Sequence, residues 1–211
     1  MNTNKSFGIL ILAAGQSRRF GSDKLMAKMP DGRPVIAHSL AQTLEFSKIH
    51  NLELCVITRA DNQPLINYLI AQEITYSISA AAHLGMGHSI ADGVSSNQDW
   101  QGWMITLADM PNITLPLLNN LWDKIQKNKN DVVRPIFSTN EQNIPAHPVY
   151  FPASYREDLK ILTGDNGAKK LIKHPVYMTH IDGEIIAAET MTDVDTKEVL
   201  QTLYQKKEPI I

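Results

Sequence analysis

The sequence contains a single cysteine, Cys55, among its 211 residues. One thiol cannot form a disulfide within the chain, and it cannot supply the several thiolates of a structural zinc site. Cys55 stands inside the apolar run 52–57, which predicts a buried position. We therefore expect a reduced, cytoplasmic protein.

Long apolar runs and an excess of charge of either sign are also missing. No segment approaches the roughly 20 apolar residues that a membrane-spanning helix needs. Lys and Arg number 20 against 22 Asp and Glu, for a net charge of -2, so no overall field favours nucleic acid or an anionic membrane. We expect neither partner, and any anionic ligand must be held by a local site.

The pattern that is present is an alternation of short apolar runs with longer segments of helical period. It predicts an α/β fold, doubly wound, with a mostly parallel sheet and helices on both faces, as a single domain over residues 1–211. The predicted strands are 7–12, 54–58, 75–78, 104–107, 131–134, 149–151 and 176–181. The predicted helices are 35–46, 64–71, 88–94, 115–127, 154–162, 168–174 and 196–204. Segment 138–148 lacks a strong period and is consistent with an inserted loop over a site.

Sheets of this kind bind ligands at the carboxyl ends of their strands. This rule directs attention to the loops after Leu12, Ile78, Leu107 and Phe151. We expect the residues that carry chemistry to lie in those four places.

The loop after the first strand, residues 12–24, combines small residues with the cations Arg18, Arg19 and Lys24. Small residues let backbone N–H groups approach a phosphate, and the cations neutralise its charge. The spacing is not that of a Walker A loop, since Lys24 stands three residues past Gly21, and a G-x-G-x-x-G fingerprint is absent. Taken alone, the loop predicts either a phosphate-binding loop or a polar connection with solvated arginines.

The order of residues in this loop resembles a known family. Leu-Ala-Ala-Gly-x-Ser-x-Arg-Phe-Gly-x-x-Lys, at 12–24, is similar to the opening motif of the MobA-like nucleotidylyltransferase superfamily, in the version typical of molybdenum cofactor cytidylyltransferases. Five later blocks resemble the same family in order: Gly-Met-Gly-His-Ser-Ile at 85–90, Leu-Ala-Asp-Met-Pro at 107–111, Ala-His-Pro-Val at 146–149, Gly-Asp-Asn-Gly-Ala at 164–168 and Asp-Val-Asp-Thr at 193–196. The resemblance thus extends over nearly the whole chain.

The resemblance implies a Rossmann-like nucleotidyltransferase fold and a set of nucleotide contacts. In that family, residues like Arg18 and Lys24 hold the phosphates. Residues at the other matching positions contact the nucleotide, namely Leu12, Ala13, Ala14, Gly15, Ser17, Gly87 and Ser89. Sibling guanylyltransferases have Gly where this chain has Ala14, so the resemblance favours CTP over other nucleotides.

Acidic residues provide candidates for a metal site. Asp109 follows the apolar run 104–107, which places a hard oxygen ligand at the end of a central strand and, with the resemblance, predicts a Mg²⁺ ligand. Capping of the next helix is the alternative, but Thr114 stands in a better position for that. Near the end of the chain, Asp195 with Glu198 predicts a capping box, and the resemblance makes Asp193 the second metal candidate.

Three further features admit both a functional and a structural interpretation. Residues 85–87 predict either a nucleotide contact or a plain tight turn. His83 and His88 lack a third ligand nearby, which argues against zinc. His147 and Asp165 are candidate acceptor contacts by resemblance, although Ala146 replaces the usual Gly. On local grounds a lone histidine is more often structural or exposed, and the segment of Asp165 fits a capped surface helix equally well.

Together these observations predict a Mg²⁺-dependent nucleotidylyltransferase that moves CMP from CTP to the phosphate of the molybdenum-pterin cofactor. The predicted catalytic residues are Arg18, Lys24 and Asp109. A molybdoenzyme or a cofactor chaperone is the protein partner that the resemblance implies. The alternatives are transfer to a sugar phosphate or isoprenoid-precursor phosphate, and a carrier that binds nucleotide or cofactor without catalysis.

Overall fold

The computed structural model describes residues 7–17, 20–138, 143–172, 177–180 and 193–205. Within these ranges, eight strands form one sheet in the order β3-β2-β1-β4-β7-β5-β6, and β8 pairs with β5. The strands are β1 Gly8–Leu12, β2 Glu53–Thr58, β3 Tyr76–Ile78, β4 Gly102–Leu107, β5 Val133–Ser138, β6 Asn143–Pro145, β7 Val149–Pro152 and β8 Tyr177–His180. The helices are α1 Val35–His50, α2 Gln63–Ala71, α3 Met86–Ser96, α4 Leu115–Lys127, α5 Arg156–Lys160 and α6 Lys197–Gln205.

The predicted mostly parallel α/β fold is confirmed. Strand β1 lies at the centre and pairs in parallel with β2 and β4, and β2 pairs in parallel with β3. Alternation along β1 sends Ile9 and Ile11 into one core with α1 and α4, whereas Leu10 and Leu12 enter a second core with α3 and α5. Both faces of the sheet are therefore covered, which explains why β1 is an unbroken apolar run. No helix in the described ranges is both long enough and apolar enough to cross a membrane.

The structure corrects the prediction for the loop after Phe151. Strand β7 pairs with β4 in the antiparallel direction, with Ile105 opposite Val149. The amino end of β7, next to His147, therefore lies at the edge where β1 and β4 end, and the loop after Phe151 lies at the opposite edge. A single sequence carries no direct signal for the direction in which a strand joins a sheet.

Two other segments differ from their predictions. The segment 138–148 is not a simple loop, because β6 forms within it and pairs antiparallel to β5. In the described part of the predicted helix 168–174, residues 168–172, a 3-10 turn forms at Lys169–Leu171, and residues 173–174 lie outside the described ranges. By contrast, α4 has its predicted bounds, and the Oγ1 atom of Thr114 caps it by accepting from the backbone N–H of Leu117.

Candidate functional site

The loop after β1 is anchored to both neighbouring strands where it begins. The N–H of Ala13 donates to the carbonyl of Ile57 (2.8 Å), and the N–H of Ala108 donates to the carbonyl of Leu12 (3.0 Å). Further along, the carbonyl of Ser17 accepts from the N–H groups of residues 20 and 21, which folds the loop back on itself. The loop thus starts from a fixed point at the centre of the sheet.

Arg59, which sequence reasoning missed, holds the exposed part of this loop. Its Nη1 atom donates to the carbonyl of Gly15 (2.6 Å), and its Nε atom pairs with Asp61 (2.7 Å). Arg59 directly follows β2, which is parallel to β1, so both loops leave the sheet at the same edge. An arginine immediately after a parallel neighbour of β1 was the signal that could have identified it.

Lys24 lies at the centre of a small charged cluster. The side chain of Asp23 accepts from the N–H of Leu25 and caps the 3-10 turn Lys24–Met26, which fixes the backbone of Lys24. The ammonium of Lys24 then donates to Asp109 and, at 2.9 Å, to Oδ1 of Asp195. Burial lowers the pKa of Lys24, but the charges and hydrogen bonds of the two carboxylates outweigh it, so its pKa lies above the ordinary value. Lys24 therefore stays positively charged near neutral pH at this edge of the sheet.

The segment 193–196 supplies the acidic side of the cluster, and it corrects one prediction. The N–H of Val194 donates to the carbonyl of Asp109 (2.9 Å), which brings Asp193 and Asp195 beside it. Helix α6 is capped by Oγ1 of Thr196, which accepts from the N–H of residue 199 (3.3 Å). The capping role predicted for Asp195 is wrong because the helix begins one residue later, which leaves its carboxylate to pair with the Lys24 ammonium.

Asp193 is a partly buried carboxylate close to the other negative charges of this cluster. Burial, together with the negative charges of Asp109 and Asp195, raises its pKa to about 6, and the nearby Lys24 offsets only part of this rise. Repulsion between carboxylates that share a site is the usual arrangement where a cation is to be bound. Asp193 thus lies within electrostatic range of the carboxylates that the metal hypothesis requires.

Two cavities open beside this cluster. The first, of about 400 Å³, lies over the β1 loop and contains the two central charges Lys24 and Asp109. Its other lining residues include Leu12, Ala13, Ala14, Gly15, Gln16, Ser17, Ala82, His83, Leu84, Met86, Ser89 and Asp165. The second cavity, of about 450 Å³, contains His147 and Arg134. Leu12, Met86 and Asp165 line both cavities, so the two adjoin at these side chains.

The glycines of the 85–87 turn make room for the segment that carries Asp165. A side chain on Gly85, whose φ is 121°, would overlap the backbone of Gly164, and one on Gly87 would overlap Thr163. The N–H of Gly87 also donates to the carbonyl of Gly164 (2.7 Å). Gly87 does not line the first cavity, so the geometry gives it a packing role that places Asp165 between the cavities.

Most of the predicted site residues meet at one place. The predicted nucleotide contacts Leu12, Ala13, Ala14, Gly15, Ser17 and Ser89 line the first cavity with Lys24, Asp109 and Asp165, and His147 lines the second. Arg18 lies outside the described residues. Besides Arg59, sequence reasoning missed the 82–84 wall of the first cavity and Arg134 in the second.

The model of the MobA-like NTP transferase domain family matches residues 9–181, which is most of the chain. The chain belongs to this family. As a MobA-like NTP transferase it is a nucleotidyltransferase whose substrate is a nucleoside triphosphate, and the match contains the β1 loop, Asp109 and both cavities.

Relatives of known name are similar to this MobA-like chain over different lengths. The purine catabolism protein PucB of Bacillus subtilis is 27% identical over 201 residues, covering 90% of this chain and 91% of that protein. A 2-C-methyl-D-erythritol 4-phosphate cytidylyltransferase of Dehalococcoides mccartyi is 42% identical over 57 residues, or 26% of this chain and 25% of its own. The bifunctional protein GlmU of Zymomonas mobilis is 27% identical over 129 residues, which is 59% of this chain but only 28% of that protein.

Solved structures confirm the fold of the MobA-like domain. Rv0371c of Mycobacterium tuberculosis H37Rv superposes with a TM-score of 0.73 at 20% identity, covering 96% of this chain and 99% of that one. The complex of Rv0371c with manganese superposes with a TM-score of 0.74 at 18% identity, covering 95% of this chain and 99% of that one. Molybdopterin-guanine dinucleotide biosynthesis protein A of Archaeoglobus fulgidus superposes with a TM-score of 0.60 at 17% identity, covering 94% of this chain and 97% of that one.

The charged cluster fits a divalent cation that is completed by phosphate ligands. Asp109 and Asp195 already hold one cation between them, the ammonium of Lys24. No group of three side chains ready to hold a metal occurs in the part of the chain that the structure describes. Mg²⁺ is commonly held by one or two carboxylates together with substrate phosphates and water, so a pair of carboxylates suits it.

Asp193→Asn is expected to stabilise the protein in the absence of metal. Below the unfolded-state pKa of 3.8 the carboxyl is neutral in both states, so the variant gains nothing. Between pH 3.8 and about pH 6 the unfolded state releases this proton while the folded state retains it, so the destabilisation caused by Asp193 grows over that range and is constant above it. With an allowance for solvent screening, the gain in unfolding free energy above pH 6 is about 1 to 2 kcal/mol.

Urea unfolding in EDTA at pH 4, 6 and 8 measures this effect, with Asp123→Asn on the exposed face of α4 as the matched control. The advantage of Asp193→Asn should grow from pH 4 to pH 6 and stay constant at pH 8. Equal stability of the variant and the wild type at pH 8 would contradict the crowding of carboxylates around Asp193.

Proposed function

We propose that this MobA-like protein transfers CMP from CTP to the phosphate of a molybdenum-pterin cofactor and releases pyrophosphate. One observation carries the proposal: two cavities of similar size adjoin at Leu12, Met86 and Asp165, beside the cluster of Lys24 and Asp109. A transferase with two substrates needs two such chambers that meet where the bond is made. The nucleotide belongs in the first, and the acceptor in the second.

The chemistry asks the protein mainly to position two phosphates and to neutralise charge. An oxygen of the acceptor phosphate attacks the α-phosphorus of the nucleotide, the bond from the α-phosphorus to the bridging oxygen breaks, and pyrophosphate leaves with that electron pair. The acceptor phosphate is already ionised at neutral pH, so no side-chain base is required. This agrees with a site composed of carboxylates, cations and backbone.

Each residue of the first cavity has a proposed part in this reaction. The loop at 12–17, held by Arg59 through Gly15, orients base, ribose and phosphates. Lys24, together with Arg18, neutralises the charge that develops on the pyrophosphate. Asp109, with the 193–195 segment, would hold Mg²⁺, which would supply positive charge to the phosphates when bound.

The proposed base is cytosine, and the support for it comes from the first loop. Ala14 is buried at 4% exposure and lines the first cavity, in the position where the sibling guanylyltransferases have glycine. Its methyl group takes space that a larger purine would use. The D. mccartyi relative, whose name is that of a cytidylyltransferase, is consistent with this choice.

A turnover assay with the four nucleoside triphosphates tests the proposal. Purified protein, Mg²⁺ and molybdenum-pterin cofactor should release pyrophosphate fastest from CTP, by about 10-fold or more in kcat/KM, the size of a modest pocket contact. Ala14→Gly should narrow that preference in favour of GTP. Release from none of the four nucleotides, with cofactor prepared in active form, would overturn the proposed reaction.

A second candidate changes the acceptor to a sugar phosphate or isoprenoid-precursor phosphate. The relatives named for GlmU and for the 2-C-methyl-D-erythritol 4-phosphate enzyme favour it, although each matches only over part of its length. A non-catalytic carrier is less well supported, because Lys24 and Asp109, the two groups that the proposed transfer requires, both line the first cavity. Substituting these acceptors in the same assay separates the candidates.

A further inference from the structure

The second cavity combines apolar walls with polar groups from two segments of the chain. Leu12, Ile90, Ile105, Val149 and Phe151 contribute to the walls. Arg134 and His147 provide polar groups from β5 and from the segment before β7, and Asp165, Asn166 and Lys169 provide others. A cavity of about 450 Å³ lined in this way suits a compact molecule with a largely apolar ring and a few polar groups. The chemistry of Arg134 and His147 indicates two of those groups.

Arg134 is a cation without a carboxylate partner among the described residues. It lies on β5 and is half-buried, and its Nε atom donates to the carbonyl of Ala146 (3.3 Å), which holds the guanidinium against the residue before His147. The described residues contain no ion pair of Arg134 with an Asp or Glu side chain. Burial lowers its pKa, yet arginine stays charged in proteins. A half-buried, uncompensated guanidinium at the end of a cavity favours an anionic ligand.

His147 presents an acceptor atom to the same space. Burial, followed by the positive charge of Arg134, lowers the pKa of His147, so the ring is neutral near pH 7. His147 also forms a hydrogen bond with the backbone of Ile105, and this bond raises the pKa of His147. A rise is expected when a ring N–H of the histidine donates the hydrogen bond. The Nδ1 atom is buried, and within the described residues it has no hydrogen-bond partner. A buried polar atom left unpaired costs about 1 to 3 kcal/mol, so a ligand that donates to it gains affinity.

We propose that Arg134 binds the anionic group of the acceptor in the second cavity and that Nδ1 of His147 accepts a hydrogen bond from the acceptor's ring. The inference rests on the proposed function and extends it by assigning two residues of this chain to the acceptor, Arg134 to its anionic group and His147 to an N–H donor of its ring. Hydroxyl groups of a sugar phosphate that faced the walls formed by Ile90, Ile105, Val149 and Phe151 would find no hydrogen-bond partner there. His147 interacts electrostatically with Asp109 as well as with Arg134, so these groups of the second cavity lie within electrostatic range of the charged cluster.

Equilibrium binding of three stable probes tests the inference without turnover. The probes are pterin-6-carboxylate, which has the ring and an anion, 6-methylpterin, which has the ring alone, and glucose 1-phosphate, which has an anion alone. Wild-type protein should bind pterin-6-carboxylate at least 10-fold more tightly than 6-methylpterin. Arg134→Gln should abolish that preference, and His147→Phe should weaken both pterins by similar factors while CTP binding stays unchanged.

Two further variants complete the comparison. Arg134→Lys keeps the charge without the planar fork, and it should retain part of the preference. Lys160→Gln, on α5 and outside the lining of the second cavity, is the matched control for loss of one positive charge. Circular dichroism and thermal melting establish that each variant is folded, and Arg134→Lys replaces Arg134→Gln if the latter is not.

The outcomes separate the inference from the proposed function. Equal preference for the anionic pterin in wild type and Arg134→Gln would overturn the inference and leave pterin as acceptor. The wild type could instead bind glucose 1-phosphate and neither pterin, and Arg134→Gln could lose that binding. This result would support anion binding by Arg134 and overturn the pterin acceptor. Absence of any anion-dependent binding in the wild type would overturn the inference altogether.

Discussion

Asp109→Asn is expected to lower kcat by about 10³-fold, the size of the effect when one preorganised electrostatic group is removed from an active site. Asp109 follows β4 at the edge of the sheet, and its carboxylate is 16% exposed and held by the ammonium of Lys24. An amide of the same shape keeps one acceptor oxygen but loses the negative charge that attracts a divalent cation. Pyrophosphate release at saturating CTP and acceptor measures the loss.

A metal titration distinguishes this role from a structural one. Raising the Mg²⁺ or Mn²⁺ concentration should restore part of the Asp109→Asn rate, because weakened metal binding is overcome by mass action. Asp123→Asn, on the exposed side of α4, should keep the wild-type rate at every metal concentration. A variant rate near the wild-type value, or a loss that no metal concentration changes, would count against Asp109 as a metal ligand.

The position of Asp109 and of the β1 loop could be predicted because both depend on local sequence. Each follows an apolar run that can only be a buried strand, and in a parallel sheet the ends of β1 and β4 share one edge. The contact between the N–H of Ala108 and the carbonyl of Leu12 is the direct result. Motifs that sit at strand ends are thus brought together by the fold class alone.

Other parts of the site depend on strand order and direction, which a single sequence does not encode. Arg134 reaches the second cavity because β5 lies beside the antiparallel strand β7, so that it meets Ala146 and His147. Nothing in the sequence around Arg134 distinguishes it from a solvated strand residue. The contact of Gly85 and Gly87 with residues 163–164 is likewise a consequence of tertiary packing, and the glycine spacing alone allowed a plain turn.

The roles of Asp195 and Thr196 show a subtler limit. Both are good helix caps, and the spacing from Asp195 to Glu198 matched a capping box. The helix starts one residue later than predicted, so Thr196 provides the cap, and the carboxylate of Asp195 pairs with Lys24. Helix ends vary by one or two residues for small energetic reasons, so propensity could not decide between the two.

Lys24→Ala is the variant with the second large expected effect, a loss of about 10³-fold in kcat. The ammonium of Lys24 is the described positive charge that lies in the first cavity against Asp109, where the phosphates of a bound nucleotide would be. Without it, charge on the departing pyrophosphate goes uncompensated at that point. Lys24→Arg should recover only part of the rate, and Lys127→Ala, at the exposed end of α4, should be unaffected.

The same variant should bind Mn²⁺ more tightly than the wild type when no nucleotide is present. In the metal-free protein the Lys24 ammonium occupies the space between Asp109 and Asp195, so it competes with a divalent cation for the same oxygens. Its removal should increase Mn²⁺ affinity by about 10-fold, or 1.4 kcal/mol, as measured by calorimetry or electron paramagnetic resonance. An activity loss together with weaker Mn²⁺ binding would instead indicate that Lys24 supports the shape of the site. A lower turnover together with a higher Mn²⁺ affinity is the result expected if Lys24 moves from the carboxylates to the phosphates as the nucleotide binds.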